Sequence, residues 1–366
     1  MRKDEFLSAY GSPLGDFAAL SRRAGARADY VQGGGGNTSV KLDEQLMAIK
    51  ASGFCLSDIG PDIAYAVLDY AAIRGFFTGN EPEAFLDIEQ AGAAAVKRAT
   101  AQIEGLAALR PSVEAGFHSL LDRFVLHSHS VYANLAACAE EGKALAAQAF
   151  DGADYGWGFV PYVDPGARLT FAVRDELVRA AGDGRKPAVL LMQNHGVIVH
   201  HADAQRCEEI HADANERLAA LFGVTGDAFP AVRVRPQGDG TWVSDTPFLA
   251  RQLAGGAYSE DFLLRQPLYP DQLVFLSGSF RIGGAPAPGQ CCADPDSGFV
   301  TYRMEERQAL VIEETLTAVT FIASTIQRAG YTVSVMGEAA KDFIANWESE
   351  QYRKSLAAKQ QATESR

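Results

Sequence analysis

The stretch Val125-Leu126-His127-Ser128-His129-Ser130 decides how this chain is read. Two apolar residues running into alternating histidines have the pattern of a strand end, and side chains alternate faces along a strand. His127 and His129 therefore point to one face and Ser128 to the other. Two neighbouring imidazoles on one face are a ready pair of metal ligands. A third candidate is His195, where the apolar run Ala188-Val189-Leu190-Leu191-Met192 ends in Gln193-Asn194-His195-Gly196 and reads as a strand entering a turn. Three histidines leave a zinc-like ion with at least one open position, the arrangement of a catalytic rather than a structural site.

The rest of the composition narrows what such a site serves. A chain of 366 residues, 47% hydrophobic and 22% charged, has room for a sizeable core and for more than one domain. A net charge of −13 argues against nucleic acid and against anionic membrane as partners. An anionic small substrate stays compatible, because a metal and backbone amides make a site locally positive. The five cysteines, Cys55, Cys138, Cys207, Cys291 and Cys292, form neither a C-x-x-C pair nor a regular framework, and read as reduced thiols. The adjacent pair Cys291-Cys292 is a weak metal or redox hint. The first residues, Met1 to Leu7, lack the apolar core of a signal peptide. No run approaches the roughly 18 apolar residues of a membrane span, so a cytoplasmic protein is expected.

Residues 4–27 carry apolar positions at helical spacing (Phe6, Leu7, Tyr10, then Phe17, Leu20 and Ala24), interrupted at Gly11-Ser12-Pro13, and predict two short helices. They lead into Gly33-Gly34-Gly35-Gly36-Asn37-Thr38-Ser39, a run that frees the backbone for positive φ and close approach. It reads either as a nest of N–H groups for a phosphate or as a flexible hairpin loop. No G-K-[ST] follows, and the spacing is not that of a dinucleotide site. Val40–Leu42 and Leu46–Lys50 predict a hairpin that brings a second polar turn, Ser52-Gly53, to face the same anion. Residues 61–110 alternate short strands and helices, with Ile88 to Ala108 mostly helical. Glu114 then opens a helix containing His118. A carboxylate there also serves simple N-terminal charge compensation, and His118 reads as a satisfied helix histidine.

Further along, Val131 to Ala149 predicts a helix, Tyr155 to Pro165 a loop, and Arg168 to Ala181 another helix. Asp203 to Phe222 predicts a long amphipathic helix on which His211, among Glu208, Glu209 and Asp213, reads as part of a solvated face. His200 and His201 fall near a strand end. Alternating strands and helices place the first part of the chain among α/β or helix-over-sheet architectures. From about residue 230 the texture becomes turn-rich, with strands predicted at Leu273–Leu276 and Gly298–Tyr302. A long helix follows from Glu305 to Arg328, and a helical tail from Ala339 to Arg366.

The stretches Gly35-Gly36-Asn37-Thr38-Ser39, Ser52-Gly53, Glu114, His127-Ser128-His129 and Asn194-His195-Gly196 occur in that order. In this combination the sequence resembles the class II aldolase/adducin family, which includes the zinc-dependent fuculose- and rhamnulose-phosphate aldolases. The resemblance implies an α/β fold in three layers, a mixed central β-sheet flanked by helices, over residues 1–228. Residues 229–366 are expected to form a smaller α+β extension, of a role open between covering the site and building the oligomer. It implies that His127, His129 and His195 bind a divalent metal, zinc first and manganese or cobalt next. Glu114 matches the general acid/base, and Asn37, Ser52, Gly53 and Ser112 match positions that hold the substrate phosphate. Val113 stands where some relatives carry a second serine, which thins that phosphate site. The second acid of an aldolase is usually an aromatic hydroxyl, for which Tyr155 and Tyr162 are the candidates. A homo-oligomer, usually a tetramer in the family, is implied.

The activity so implied is reversible cleavage of a ketose 1-phosphate to dihydroxyacetone phosphate and an aldehyde. Within the family the rivals are a pentulose-phosphate 4-epimerase and a sugar-acid phosphate decarboxylase. Epimerases carry aspartate where this chain has Glu114, which favours the aldolase. The rival of another class is a non-catalytic adducin-like interaction module, but such members have lost the metal histidines. Some long relatives are fused to a short-chain dehydrogenase. Neither Gly-x-x-x-Gly-x-Gly nor Tyr-x-x-x-Lys occurs here, so no nicotinamide cofactor is expected.

Overall fold

A computed structural model of the chain describes residues 1–346. Its larger sheet contains β1 (Asn37–Lys41), β2 (Leu46–Lys50), β3 (Tyr65–Asp69), β4 (Thr100–Ala101), β5 (Phe124–Ser128), β6 (Gly156–Val160), β7 (Pro187–Met192) and β8 (Gly196–His201). The strand order is β4-β3-β2-β1-β5-β8-β7-β6, and the sheet is mixed because β6 runs parallel to β7 while the neighbouring pairs are antiparallel. Strand residues alternate strictly between two apolar layers. Val125, Leu190, Met192 and Ile198 face one side, and Leu126, Val189, Leu191, Val197 and Val199 face the other. Both faces are buried, which is why these strands read as continuous apolar runs.

Helices supply both coverings: α1 (Lys3–Gly25), α2 (Tyr70–Gly79), α3 (Ile88–Arg98), α4 (Ala115–Leu120), α5 (Val131–Ala137), α6 (Gly142–Ala149), α7 (Ala167–Gly182) and α8 (Ala204–Leu221). α1, α5, α6 and α8 pack on one face, and α2, α3, α4 and α7 on the other. The three-layer α/β expectation holds.

Several local expectations do not. Residues 3–25 form one helix through Pro13 rather than two. An interior proline costs about 3 kcal/mol. Burying Phe6, Leu14, Phe17 and Leu20 on one continuous face returns about 1.5–3 kcal/mol each, so the helix continues. Residues 131–149 split into α5 and α6, and the helix begun at Ile88 stops at Arg98, where β4 takes over at the sheet edge. The supposed loop after Tyr155 is β6. Gly158 lets it approach β7, since a Cβ there would lie 2.8 Å from the Leu190 side chain.

The second sheet holds β9 (Val234–Gly238), β10 (Thr241–Ser244), β11 (Phe280–Ile282), β12 (Gln290–Ala293) and β13 (Val300–Arg303), in the order β11-β12-β13-β10-β9. With it come α9 (Pro247–Leu253), α10 (Glu260–Arg265), α11 (Pro270–Leu276), α12 (Glu306–Arg328) and α13 (Glu338–Asn346). Leu273–Leu276 is therefore helix, not strand; Pro270 at the first helical position was the local signal. The predicted tail helix beyond residue 346 lies outside the described residues. α12 packs against α5, α9 and α11, and a single apolar cluster includes residues of both halves, with the Phe321 ring 6.3 Å from that of Tyr132. Among the described residues α12 is also the one helix long and apolar enough to cross a membrane. It passes that test although its run is broken by threonines and by Glu313 and Glu314, and 78% of its most apolar window is buried inside the fold.

His211 overturns its sequence reading. With Cys207, Ala214 and Leu218 it forms the inward stripe of α8, leaving Glu208 and Glu209 outside. It is buried and hydrogen-bonded to Ser128 Oγ at 2.7 Å. Burial pushes its pKa down to about 3. The unfolded chain therefore binds one more proton than the native chain between about pH 6.5 and pH 3, so this contribution to stability is lost as pH falls through that window. The expected slope is about 1.4 kcal/mol per pH unit for this residue. His211→Gln, which keeps a polar partner for Ser128 but does not titrate, should flatten the pH dependence of metal-free urea unfolding between pH 6 and pH 4.

Candidate metal centre

Adjacent strand ends build the site. β1 begins at Asn37, β5 ends at Ser128 and β8 begins at Gly196, and the antiparallel register sets Asn37 opposite His127 and His127 opposite Ile198. Asn37, His127, His129 and His195 thus emerge at the same end of three central strands. Glu114 joins them as the N-cap residue of α4. All five side chains are buried. The turn carrying His195 is held by Asn194, which adopts φ +50° and donates from its amide to the carbonyls of Leu268 (2.9 Å) and Ser334 (3.0 Å).

His127, His129 and His195 each offer one nitrogen, all within 4.8 Å of one another. Their tautomers follow from their partners. The Val197 carbonyl can only accept, so His127 Nδ1 carries a proton and donates across 3.1 Å. His129 Nδ1 likewise donates to the Asp271 carboxylate at 2.5 Å. The two Nε2 atoms then present lone pairs to each other at 3.1 Å, an arrangement that is repulsive unless a cation is shared between them. His195 Nδ1 is buried without a hydrogen-bond partner. This donor set fits a divalent ion.

Glu114 lies against that cluster, with Oε1 3.3 Å from His195 Nε2 and Oε2 3.6 Å from His127 Nε2. Burial pushes its carboxyl up, but attraction to His127, His195 and His129 in their protonated form outweighs burial and holds it well below the usual carboxylate value. Burial also pushes His127 down to about 3, against the pull of Glu114, so the imidazole is neutral and available as a ligand near pH 7. Asn37 donates from Nδ2 to Glu114 and to Ser112 Oγ (3.1 Å). Its carbonyl end accepts from His118 Nε2, whose Nδ1 in turn accepts from Ser39 at 2.7 Å. His118 is thus a satisfied histidine, as expected, and it fixes which way the Asn37 amide points.

The residues matched to phosphate binding also converge. Ser112 N donates to the Lys50 carbonyl and Ser52 N to the Arg110 carbonyl, at 3.3 and 2.8 Å, so residues 110–112 run beside residues 50–52. This places Ser52 and Gly53 (φ +90°) beside the segment that carries Ser112, which itself contacts Asn37. The four-glycine run has a use in packing. Gly33 N–H donates to the Glu314 carboxylate at 3.0 Å, a Cβ at Gly35 would collide with Asp271 Oδ2, and one at Gly36 would lie 2.7 Å from the His127 carbonyl. These glycines let the C-terminal helices and the histidine strand come close.

Tyr155 and Tyr162 flank opposite ends of β6. The Tyr155 hydroxyl donates to Asp213 on α8, on the end away from the histidines. Tyr162 sits on the histidine end, where its N–H donates to Gln193, two residues before His195, and its hydroxyl to Asp164. Sequence reasoning missed Asp271, Tyr269 and Glu314, all from the C-terminal half. Asp271 lies 142 residues from His129, and no local pattern marks it as a partner.

Residues 15–220 match the model of the class II aldolase and adducin N-terminal domain. The chain belongs to this family. Class II aldolases use a divalent metal, and this member presents three histidines able to hold one. Among solved structures it is similar to the N-terminal class II aldolase domain of a conserved protein from Thermoplasma acidophilum, at 20% identity, covering 56% of this chain and 92% of that one, TM-score 0.47. It is also similar to an aldolase II superfamily protein from Pseudomonas syringae (17% identity, 59% and 78% covered, TM-score 0.40). A third is the L-fuculose-1-phosphate aldolase from Thermus thermophilus (12% identity, 59% and 95% covered, TM-score 0.36). No curated protein matches the chain.

Removing one donor should empty the centre. After dialysis against zinc and then buffer, wild type is expected to retain about one equivalent by elemental analysis, and His195→Ala well under half of that with an unchanged far-ultraviolet spectrum.

Proposed function

We propose that the chain is a divalent-metal aldolase that reversibly cleaves a ketose 1-phosphate to dihydroxyacetone phosphate and an aldehyde. One observation carries this reading. A buried carboxylate, Glu114, faces two imidazoles of the metal-binding cluster at 3.3 and 3.6 Å while sharing the Asn37 amide with Ser112. An acid/base and an anion-binding group are thereby joined through one side chain.

A divalent ion held by His127, His129 and His195, zinc first by its ligand set, would supply Lewis acidity toward the carbonyl and neighbouring hydroxyl oxygens of the substrate. The protein does the rest. In condensation Glu114 takes a proton from the dihydroxyacetone phosphate carbon that becomes the nucleophile, and in cleavage it delivers a proton to that carbon after the C–C bond has broken. Ser52, Ser112 and the Gly53 N–H accommodate the phosphate. Where a phosphate oxygen takes the Asn37 Nδ2 donor, Glu114 loses a hydrogen bond to its ionised form and becomes a stronger base, so substrate binding primes the carboxylate. Tyr162, on the histidine side of β6, is the candidate that protonates the aldehyde oxygen in condensation and takes the hydroxyl proton in cleavage. The same reading carries a small phosphorylated sugar as ligand and a cytoplasmic homo-tetramer as the assembly.

The test is the half-reaction. Zinc-loaded protein incubated with dihydroxyacetone phosphate in heavy water should exchange one C3 proton stereospecifically, followed by proton NMR. Glu114→Gln should slow exchange by about 10²–10⁴-fold, and a chelator should stop it. No exchange by metal-loaded wild type would sink the aldolase and leave an epimerase or decarboxylase on the same centre.

A further inference from the structure

The family match ends at residue 220, yet the metal centre does not. We propose that Asp271, at the start of α11, is a positioning residue of the metal centre: its carboxylate fixes the ring and tautomer of His129, so that the C-terminal half completes the site. This rests on the metal reading given above.

The geometry is specific. Asp271 is 1% exposed and accepts from His129 Nδ1 at 2.5 Å. A hydrogen bond from Nδ1 to a carboxylate holds the proton off Nε2, aims that lone pair, and raises the basicity of the ring as a ligand. The charge acts as well, because a dication on the far nitrogen is attracted by the carboxylate through the ring. His127 meets a weaker version of the same device, the neutral Val197 carbonyl at 3.1 Å from inside the large sheet. Of these two ligands, only His129 is oriented by an anion, and that anion comes from the other half of the chain.

The surroundings hold Asp271 in place. It occupies the first turn of α11, where the helix macrodipole favours a carboxylate. Just before the helix, the Tyr269 ring lies 6.2 Å from the His129 ring and its hydroxyl donates to Gln32 Oε1 at 3.2 Å. The residue preceding Tyr269 is Leu268, whose carbonyl accepts from Asn194 beside His195. The loop before β1 makes room: a Cβ on Gly35 would collide with Asp271 Oδ2 and sit 3.0 Å from His129 Nδ1. The segment 268–271 therefore contacts the surroundings of two ligands at once.

The experiment uses the full chain with zinc as the probe, competed against a chromophoric chelator. Asp271→Asn, near-isosteric and still able to accept, should weaken zinc binding about 10–100-fold with little change in the metal-free melting temperature. Gly35→Ala, which drives a methyl into the Asp271–His129 contact, should weaken it in the same direction. Tyr302→Phe removes the buried hydroxyl contact to Glu313 in the second sheet and none at the histidines, and should stay within about twofold of wild type. In the metal-free wild type, ¹⁵N NMR should find His129 protonated at Nδ1, and Asp271→Asn should mix the tautomers. Zinc affinity unchanged in Asp271→Asn, or lost equally in Tyr302→Phe, would overturn the inference while leaving the metal centre standing. A wild type that takes up no zinc would overturn both.

Discussion

Two imidazole nitrogens, His127 Nε2 and His129 Nε2, face each other 3.1 Å apart in a buried site, and much of the structure exists to keep them so. Left alone, two rings in that position would rotate or protonate. Each is prevented from doing so by an acceptor on its other nitrogen, Val197 O for one and Asp271 for the other. The first acceptor is a product of the β5–β8 register, and the second of α11 lying across the glycine run. Buried polar groups are retained where their hydrogen bonds are complete, and here completeness also dictates which lone pairs converge.

The same logic extends outward from Glu114. Its carboxylate accepts from Asn37; Asn37 is oriented by His118; His118 is oriented by Ser39. Each member has a donor facing an acceptor, so the chain of contacts has one self-consistent direction. On the opposite face of β5, Ser128 meets His211 on α8, so the alternation that puts the two candidate ligands on one side also ties their strand to the helix behind. The strand is anchored from both faces.

The C-terminal half is built into this arrangement rather than appended to it. α12 lies in a core shared with α5, and Glu314 on it accepts from Gly33, the first residue of the glycine run. The run's small size is used for packing, with the C-terminal carboxylates Glu314 and Asp271 at two of its four positions. A glycine run read by itself cannot distinguish close approach to a ligand from close approach to another part of the chain, because both require only the absence of a Cβ.

What the sequence determined by itself is local and periodic. The alternation at His127-Ser128-His129, the Asn194-His195-Gly196 turn, the hairpin leading to Ser52-Gly53 and the helices at Ala167–Gly182, Ala204–Leu221 and Glu306–Arg328 follow from spacing that neighbouring residues impose on one another. The joining of Glu114, Asn37 and Ser112 to the three histidines was legible only through family resemblance. Tertiary structure alone decided the rest. It carried α1 through Pro13 because burial of one face outweighed the break, and it turned His211 inward although its chain neighbours are acidic. It also brought Asp271 to His129 from 142 residues away. A contact of that range is chosen by how two helical layers pack on a sheet, and nothing in the residues flanking either partner records it.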